Sequence, residues 1–370
     1  MTILLFFAVL IVLVIVHEFG HFIVAKRSGI RVDEFGIGFP PKLFGKKWGE
    51  TEYTINALPF GGFVRIFGEN PETDSLTGPD SARAMIQKPK YVQAAVLFAG
   101  VFFNILFAWL LFSVTFMAGT PAMGGFQDEP LSAYISGERL LVTQVLPGTP
   151  AETAGLTAGD EILALSTPRK TVNPTAPEEV GVFISTQNTD EFSVQYKRDN
   201  KEAYVVVTSQ KGLMVDAPET PAIGVVVGLV GTLKLPVHLA VWEGGKQTLS
   251  MLSAITIGIV TFFYDALLFN ADLATVAGPV GIVSLVGDVS ALGLIALLNF
   301  TALISLNLAV INLVPFPALD GGRLLFLLIE TIKGSPIKPN VANMFNYVGF
   351  ALLILLMIVV TYSDIVRLVG

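Results

Sequence analysis

The sequence contains no cysteine, only three histidines and few charged residues. Without cysteine the chain forms no disulfide and has no thiolate ligand, so a metal site must use His, Asp or Glu. Charged residues make up 14% of the 370 residues and the net charge is −7, without the basic excess typical of nucleic-acid binding. Hydrophobic residues make up 52%, and the mean hydropathy of +0.67 is typical of a polytopic membrane protein.

Long apolar runs predict the membrane-spanning helices. A bilayer core about 30 Å thick requires roughly 20 helical residues. We expect the first run to be retained as a span, because it has no basic segment before it and no small-residue cleavage site after it. The predicted spans are Thr2–Val24, Val92–Ala118, Ala291–Val314 and Phe345–Leu368.

The first run contains the motif His17-Glu18-Phe19-Gly20-His21, an HExxH sequence. Positions i and i+4 share one face of a helix, so His17 and His21 can hold one metal ion while Glu18 stands beside a metal-bound water. The alternative is a pair of helix histidines that only bond to their neighbours. Because ionisable groups inside spans are costly and usually functional, the motif predicts a metalloprotease site in the membrane.

Charge asymmetry predicts the orientation of the spans. Segment 25–91 contains ten Lys/Arg residues and is therefore expected on the cytoplasmic side, which leaves the N-terminus outside. Segment 119–290 has nine Lys/Arg and eighteen Asp/Glu residues and is expected outside. The HExxH motif then lies toward the cytoplasmic end of the first span.

The apolar stretch Met251–Phe269, interrupted only by Asp265, is either a fifth span or a helix lying along the membrane interface. The number of membrane crossings before Asp320 favours the interfacial position. An additional crossing would place Asp320 on the opposite side of the membrane from His21. If both residues belong to one metal site, four spans are required.

Two segments of the cytoplasmic region are strand-like. Thr51–Asn56 and Gly62–Phe67 alternate aromatic or β-branched residues with others, and Ala57–Gly61 between them predicts a hairpin turn. Such a hairpin beside a protease site could accept an extended substrate as an added strand. A lid or packing element is the alternative.

A catalytic zinc usually has three protein ligands and one open position, so a third ligand is needed. His238 is the remaining histidine, but it lies in the segment expected outside. Asp320 follows the third span, after two prolines that stop the helix and before two glycines that permit a tight turn. Asp320 is the better candidate, with a helix N-cap as its alternative role.

HExxH in the first span, followed late in the chain by Asn312-x-x-Pro315-x-x-x-x-Asp320-Gly321, resembles the bacterial PDZ-containing branch of the site-2 protease family of intramembrane zinc metalloproteases. The resemblance covers nearly the whole chain. It implies that His17, His21 and Asp320 bind Zn²⁺ and that Glu18 is the general base and acid. It also implies that Asn312 helps to hold the substrate or the developing oxyanion, and that the hairpin clamps the substrate strand. Further matching segments are Val32–Phe39, Pro59–Val64 and Gly278–Ile282.

A second signature lies outside the predicted spans. Leu141–Val145 is strand-like and is followed by small residues and turn signals up to Leu163, which resembles a PDZ domain. Further strand-like segments, Phe192–Tyr196 and Ala203–Thr208, would complete a domain over residues 138–213. Such a domain can bind a peptide as an added strand, and a structural plug is the alternative.

These observations predict a polytopic α-helical membrane protein with four transmembrane helices, a membrane-associated β-hairpin and one inserted α+β PDZ domain. The expected parts are residues 1–118, 138–213, a connecting segment 214–290 with an interfacial helix, and 291–370. We expect a multi-pass plasma-membrane endopeptidase whose substrates are single-pass proteins, resembling anti-sigma factors or remnant signal peptides. A scaffold with a vestigial metal site and a metal or proton transporter are the alternatives. The complete residue set disfavours the scaffold, and the lack of an inverted repeat disfavours the transporter.

Overall fold

The computed structural model describes residues 1–69, 78–124, 131–187, 191–198, 200–214, 217–268, 270, 278–335, 337 and 339–369. The chain divides into two compact units, one formed by Met1–Thr115 with Val237–Gly370 and the other by Phe116–Pro236. The helices are α1 (Thr2–Arg27), α2 (Lys90–Ala118), α3 (Pro150–Thr153), α4 (Pro177–Ser185), α5 (Val237–Leu267), α6 (Pro279–Ala291), α7 (Leu294–Leu313), α8 (Asp320–Lys333) and α9 (Pro339–Val369). The strands are β1 (Val32–Trp48), β2 (Thr51–Ile66), β3 (Thr120–Met123), β4 (Ile135–Val145), β5 (Glu161–Ser166), β6 (Thr171–Val172), β7 (Glu191–Arg198), β8 (Lys201–Thr208) and β9 (Val225–Leu233).

Among the described residues, five helices are long and apolar enough to cross a membrane: α1, α2, α5, α7 and α9. Four of them correspond to the predicted runs. The fifth, α5, contains nearly all of Met251–Phe269, whose last residue lies outside the described part of the chain. This criterion is one of length and composition, so it makes α5 a candidate span without giving its orientation.

Helix α5 begins beside the end of α2. The Trp109 indole donates a hydrogen bond of 2.8 Å to the Val241 carbonyl, and a Cβ at Gly244 would lie 2.9 Å from the Ser113 nitrogen. Thr115, less than a turn after Ser113, donates to Asn299 near the start of α7 at 2.9 Å. The starts of α5 and α7 therefore lie at the same end of α2.

Helices α6 and α9 are joined through a buried carboxylate. Asp364 is 3% exposed and accepts the backbone amides of Gly278 at 3.2 Å and Gly281 at 2.8 Å. These amides lie at the N-terminus of α6, where the backbone donors have no helical partner and the helix dipole favours a negative charge. The Asp364 carboxylate thus caps α6 from another helix.

The sheet of the first unit differs from the predicted hairpin. Residues Val32–Ile37 of β1 pair with Gly62–Ile66 on one side and with Glu52–Ile55 on the other. The expected direct pairing of Thr51–Asn56 with Gly62–Phe67 was therefore wrong, because the first part of β1 lies between them. The true hairpin turn is at Gly49-Glu50, which joins β1 to β2. Gly62–Ile66 is consequently an edge segment.

Ion pairs connect the hairpin turn to neighbouring segments. Glu50 accepts hydrogen bonds from Lys26 at 2.6 Å and from Arg83 at 2.6 Å. These two cations hold the pKa of the Glu50 carboxyl below its usual range. The contact joins the turn to the last turn of α1.

The second unit contains a sheet with the strand order β3-β9-β4-β5-β7-β8, and β6 pairs with β5. Its buried core includes Leu140, Leu165, Phe183, Phe192 and Val207. The strand-like segments at 192–196 and 203–208 lie in β7 and β8. The unit extends beyond the expected segment 138–213, because β9 pairs with both β4 and β3.

Candidate metal centre

Helix α1 presents His17 and His21 on one buried face. The two residues are 8% and 7% exposed, and their Nε2 atoms lie 3.3 Å apart. Between them, Gly20 allows α2 to approach closely, since a Cβ there would lie 2.8 Å from the Ala99 carbonyl carbon. The one-turn spacing thus places both imidazoles against α2.

Helix α2 orients both rings. Nδ1 of His21 lies 2.8 Å from the Val96 carbonyl, which only accepts, so this nitrogen carries the proton and Nε2 is a free acceptor. Nδ1 of His17 lies 3.1 Å from the Asn104 amide nitrogen. Asn104 Oδ1 is buried and has no hydrogen-bond partner in the described part of the chain. A half-turn of the Asn104 amide exchanges its oxygen and its nitrogen at nearly the same positions. With the oxygen turned toward His17, Asn104 accepts the Nδ1 proton and frees Nε2 of His17.

The turn between α7 and α8 brings in Asp320. Ala318 has a φ of 68°, a costly conformation for a residue with a side chain, and its amide lies 3.4 Å from Asn346 Oδ1. At Gly321 a Cβ would collide with the carbonyls of Leu313 and Val314. Leu319 is the N-cap of α8 and makes no side-chain cap bond, so Asp320 is the first helical residue and does not occupy the cap position. Its carboxylate is free to face α1.

Three acceptor atoms converge at this point. Asp320 Oδ2 lies 3.1 Å from His17 Nε2 and 3.3 Å from His21 Nε2, and the candidate ligand atoms all lie within 4.8 Å of one another. Among the described residues, the buried Asp320 Oδ2 has no hydrogen-bond partner. A carboxylate and two imidazole lone pairs repel one another unless a cation lies between them. The donor set therefore fits a metal ion, and two nitrogens with one oxygen suit zinc.

A cavity of about 650 Å³ opens onto the three acceptors. Glu18 and Asn312 line it, as does the edge segment Gly62–Ile66 through several residues. The Val64 amide faces the Glu18 carboxylate, and a Cβ at Gly62 would lie 3.6 Å from Glu18 Cγ. The structure thus brings together every site residue expected from the sequence. His238 lies instead in the first turn of α5, where it is exposed.

Sequence reasoning missed the contribution of α2. Gly100 faces both imidazoles, and Asn104, one turn later, contacts His17 and is 0% exposed. The signal was an Asn inside an otherwise apolar span, since a polar side chain at membrane depth is usually functional. These two residues support the candidate ligands and are not ligands themselves.

Comparisons with known proteins find similar sequences over nearly the whole chain. The model of peptidase family M50 matches residues 5–356. A putative zinc metalloprotease of Clostridium perfringens is 35% identical over 355 residues, covering 96% of this chain and 95% of the relative. The zinc metalloprotease RasP of Geobacillus kaustophilus is 31% identical over 438 residues, covering 98% of this chain and 97% of the relative. The regulator of sigma-W protease RasP of Bacillus subtilis is 30% identical over 443 residues, covering 99% of each chain.

Proposed function

The chain belongs to peptidase family M50 and is a zinc metalloprotease, and we propose that it hydrolyses peptide bonds in the membrane-spanning segments of single-pass proteins. The observation that supports this most is the convergence of His17, His21 and Asp320 beside Glu18, in a cavity bordered by apolar helices. A soluble protease has no need to bury its site among helices long enough to span a bilayer.

His17 and His21 through Nε2 and Asp320 through Oδ2 would hold the zinc. Bound zinc supplies Lewis-acid chemistry, which polarises a carbonyl and acidifies water. Glu18 accepts a proton from the attacking water as the new carbon–oxygen bond forms, and it donates that proton to the amine nitrogen as the carbon–nitrogen bond breaks. Asn312 lines the same cavity, and its side-chain amide is suited to donate to a substrate carbonyl.

A helical substrate hides its carbonyls in hydrogen bonds and must unwind before attack. The edge segment Gly62–Ile66 offers a route, because an added strand satisfies the backbone groups that unwinding frees. The segment lines the cavity and, within the residues that the structure describes, is paired on one side, with β1. Ile55, in contrast, is paired with Ile37 on one side and Phe44 on the other, so it offers no free edge.

Val64→Pro is expected to lower cleavage at least tenfold while leaving zinc bound. Proline removes the Val64 amide, which faces the Glu18 carboxylate, so an added substrate strand loses one backbone donor at the cavity. Val64→Ala is the matched control, since it shortens the side chain but keeps the amide. The measurement is the cleavage rate of a reporter with one apolar segment of about 20 residues between two soluble proteins. Wild-type cleavage by the proline variant would remove the edge segment from substrate binding.

The described contacts support four net crossings, because the chain lies at the same end of the helices before α5 and after it. They do not support an α5 that lies along the interface, since Met251, Leu252 and Ile255 of α5 pack against α2 and α7. The starts of α5 and α7 both lie beside the end of α2. Gly287 of α6 lies against Thr2, at the start of α1. The chain therefore leaves and returns at one end of the helices, which we assign to the extracytoplasmic side of the plasma membrane from the basic segment 25–91. The active site then lies toward the cytoplasm.

Residues 138–213, within the unit Phe116–Pro236, are proposed to form a PDZ domain. The sheet of this unit, with the short helices α3 and α4, is consistent with the α+β organisation expected from the sequence. The domain would bind peptide as an added strand or act as a plug. The name of the Bacillus subtilis relative, regulator of sigma-W protease, supports an anti-sigma-factor-like substrate, and remnant signal peptides are the second candidate.

Asp320→Ala is expected to lower the zinc content of the purified protein from about one per chain, because it removes the only carboxylate of the three converging ligands. Glu330→Ala is the control, since it removes a carboxylate at the far end of the same helix. Zinc per chain in detergent, measured by elemental analysis, needs no knowledge of the substrate. Full zinc retention in Asp320→Ala would separate this residue from the metal site and favour a scaffold over a protease.

A further inference from the structure

The metal centre is assembled from two separate parts, and α8 must be held against α1 for it to form. Helix α1 provides His17 and His21, whereas the first residue of α8 provides Asp320. Leu327 of α8 packs in a buried cluster with residues of α1 and α2 and with the paired sheet residues Val32 and Ile66. The apolar contact is centred two turns beyond Asp320, and Leu324, one turn after Asp320, packs against its margin.

An ion pair lies closer to the site. Arg323, one turn after Asp320, pairs through Nη1 with the Glu69 carboxylate. Their side chains are 32% and 21% exposed, so the pair is partly withdrawn from solvent. Both residues line the cavity that contains Glu18. The proposed reaction gives neither of them a role.

The backbone next to Glu69 is held by hydrogen bonds to neighbouring segments. It follows the edge segment Gly62–Ile66 by three residues, and its amide donates to the Ile66 carbonyl at 3.3 Å. Phe67 donates to the Arg31 carbonyl at 2.9 Å and accepts from the Met85 amide at 2.8 Å, and the Arg31 guanidinium lies 3.6 Å from its ring centroid. The ion pair thus joins an anchored strand end to the first turn of α8.

The same helix carries a second ion pair that serves as a comparison. Lys90, the first residue of α2, pairs with Glu330 near the end of α8. Lys90 and Glu330 are absent from the lining of the cavity. Both pairs fasten α8 to the rest of the unit, but only Arg323–Glu69 connects it to the edge segment at the site.

We propose that the Arg323–Glu69 pair is a positioning contact that sets the edge segment and Asp320 at a fixed separation. This inference rests on the proposed function, in which the edge segment holds the substrate strand and Asp320 helps to hold the metal. A displacement of about 1 Å between substrate and reacting groups can cost on the order of a hundredfold in rate. A charge-assisted pair at this point maintains that geometry when substrate binds.

The test compares Arg323→Gln, Glu69→Gln, the double variant and Lys90→Gln in the full-length protein. Amide hydrogen exchange over residues 61–66 is measured without substrate, and kcat and KM are measured with the single-span reporter. In Arg323→Gln and in Glu69→Gln, the amides of residues 61–66 are expected to exchange at least tenfold faster than in the wild type. The kcat of each variant should fall at least tenfold, while KM changes less than threefold. The double variant is expected to match either single variant, because the two residues act through one contact. Lys90→Gln is expected to resemble the wild type.

Unchanged exchange over 61–66 in Arg323→Gln and Glu69→Gln would overturn the proposal. A double variant whose loss is the product of the single losses would also overturn it, since the residues would then act independently. The same defects in Lys90→Gln would also contradict the proposal. The Arg323–Glu69 pair would then only help to hold α8 in place, as the Lys90–Glu330 pair does. If the wild type cleaves no reporter, the proposed function fails, while the exchange measurement still decides whether the contact positions the edge segment.

Discussion

Glu18→Gln is expected to abolish detectable cleavage while the protein retains about one zinc per chain. The glutamine amide has nearly the size and shape of the carboxylate, but it cannot accept the proton of the attacking water. General acid–base catalysis contributes about 10²–10⁴ in rate, so the loss should be at least of this order. Zinc should remain because Glu18 is not among the three converging ligand residues.

The matched control for this variant is Glu330→Gln, the same chemical change at a residue outside the cavity lining. Zinc per chain and reporter cleavage are measured in the same preparations. Cleavage by Glu18→Gln at a tenth of the wild-type rate or more would remove Glu18 from the proton transfers. Loss of zinc from this variant would instead indicate that the carboxylate contributes to metal binding.

Gly100→Ala is expected to weaken zinc binding by about ten- to hundredfold, the range for changes in the groups that support metal ligands. An added Cβ would lie 2.7 Å from His17 Cε1 and 2.8 Å from His21 Cε1, distances that force both rings to move. Movement of the rings would break the hydrogen bonds that the Val96 carbonyl makes with His21 and Asn104 makes with His17. Cleavage should fall with zinc occupancy.

Alanine is the better helix former by about 1 kcal/mol, so a loss of zinc in Gly100→Ala cannot be attributed to a weaker helix. Gly258→Ala on α5 is the control, because a Cβ there meets nothing within 4 Å. Competition with a chelator of known affinity gives the zinc dissociation constant of each variant. An affinity in Gly100→Ala equal to that of the control would mean that α2 does not confine the imidazoles.

Most of the long helices could be predicted from the apolar runs of the sequence alone. Apolar runs of about 20 residues give a strong local signal, and α1, α2, α7 and α9 lie where the runs are. α5 was harder to interpret, since its length and composition satisfy the same criterion. The contacts of Trp109 with Val241 and of Thr115 with Asn299, rather than hydropathy, indicate where α5 begins and where the chain returns.

The pairing of the strands beside the site could not be predicted from the alternation of side-chain types alone. The strand-like pattern of Thr51–Asn56 and Gly62–Phe67 was recognised, but their mutual pairing was wrong because Val32–Ile37 lies between them. Alternation is a property of one strand and does not select its partner. For this reason the sequence did not distinguish Ile55, inside the sheet, from Val64 at its edge.

The pairing of His17 with His21 follows from the sequence alone, because residues four apart on a helix meet whatever surrounds them. The prolines and glycines around Asp320 indicated this residue as well. The support of the two histidines by Asn104 and Gly100, and the pairing of Arg323 with Glu69, could be seen only in the folded chain. These contacts join elements far apart in the chain, and such contacts depend on how helices and strands pack rather than on any local periodicity.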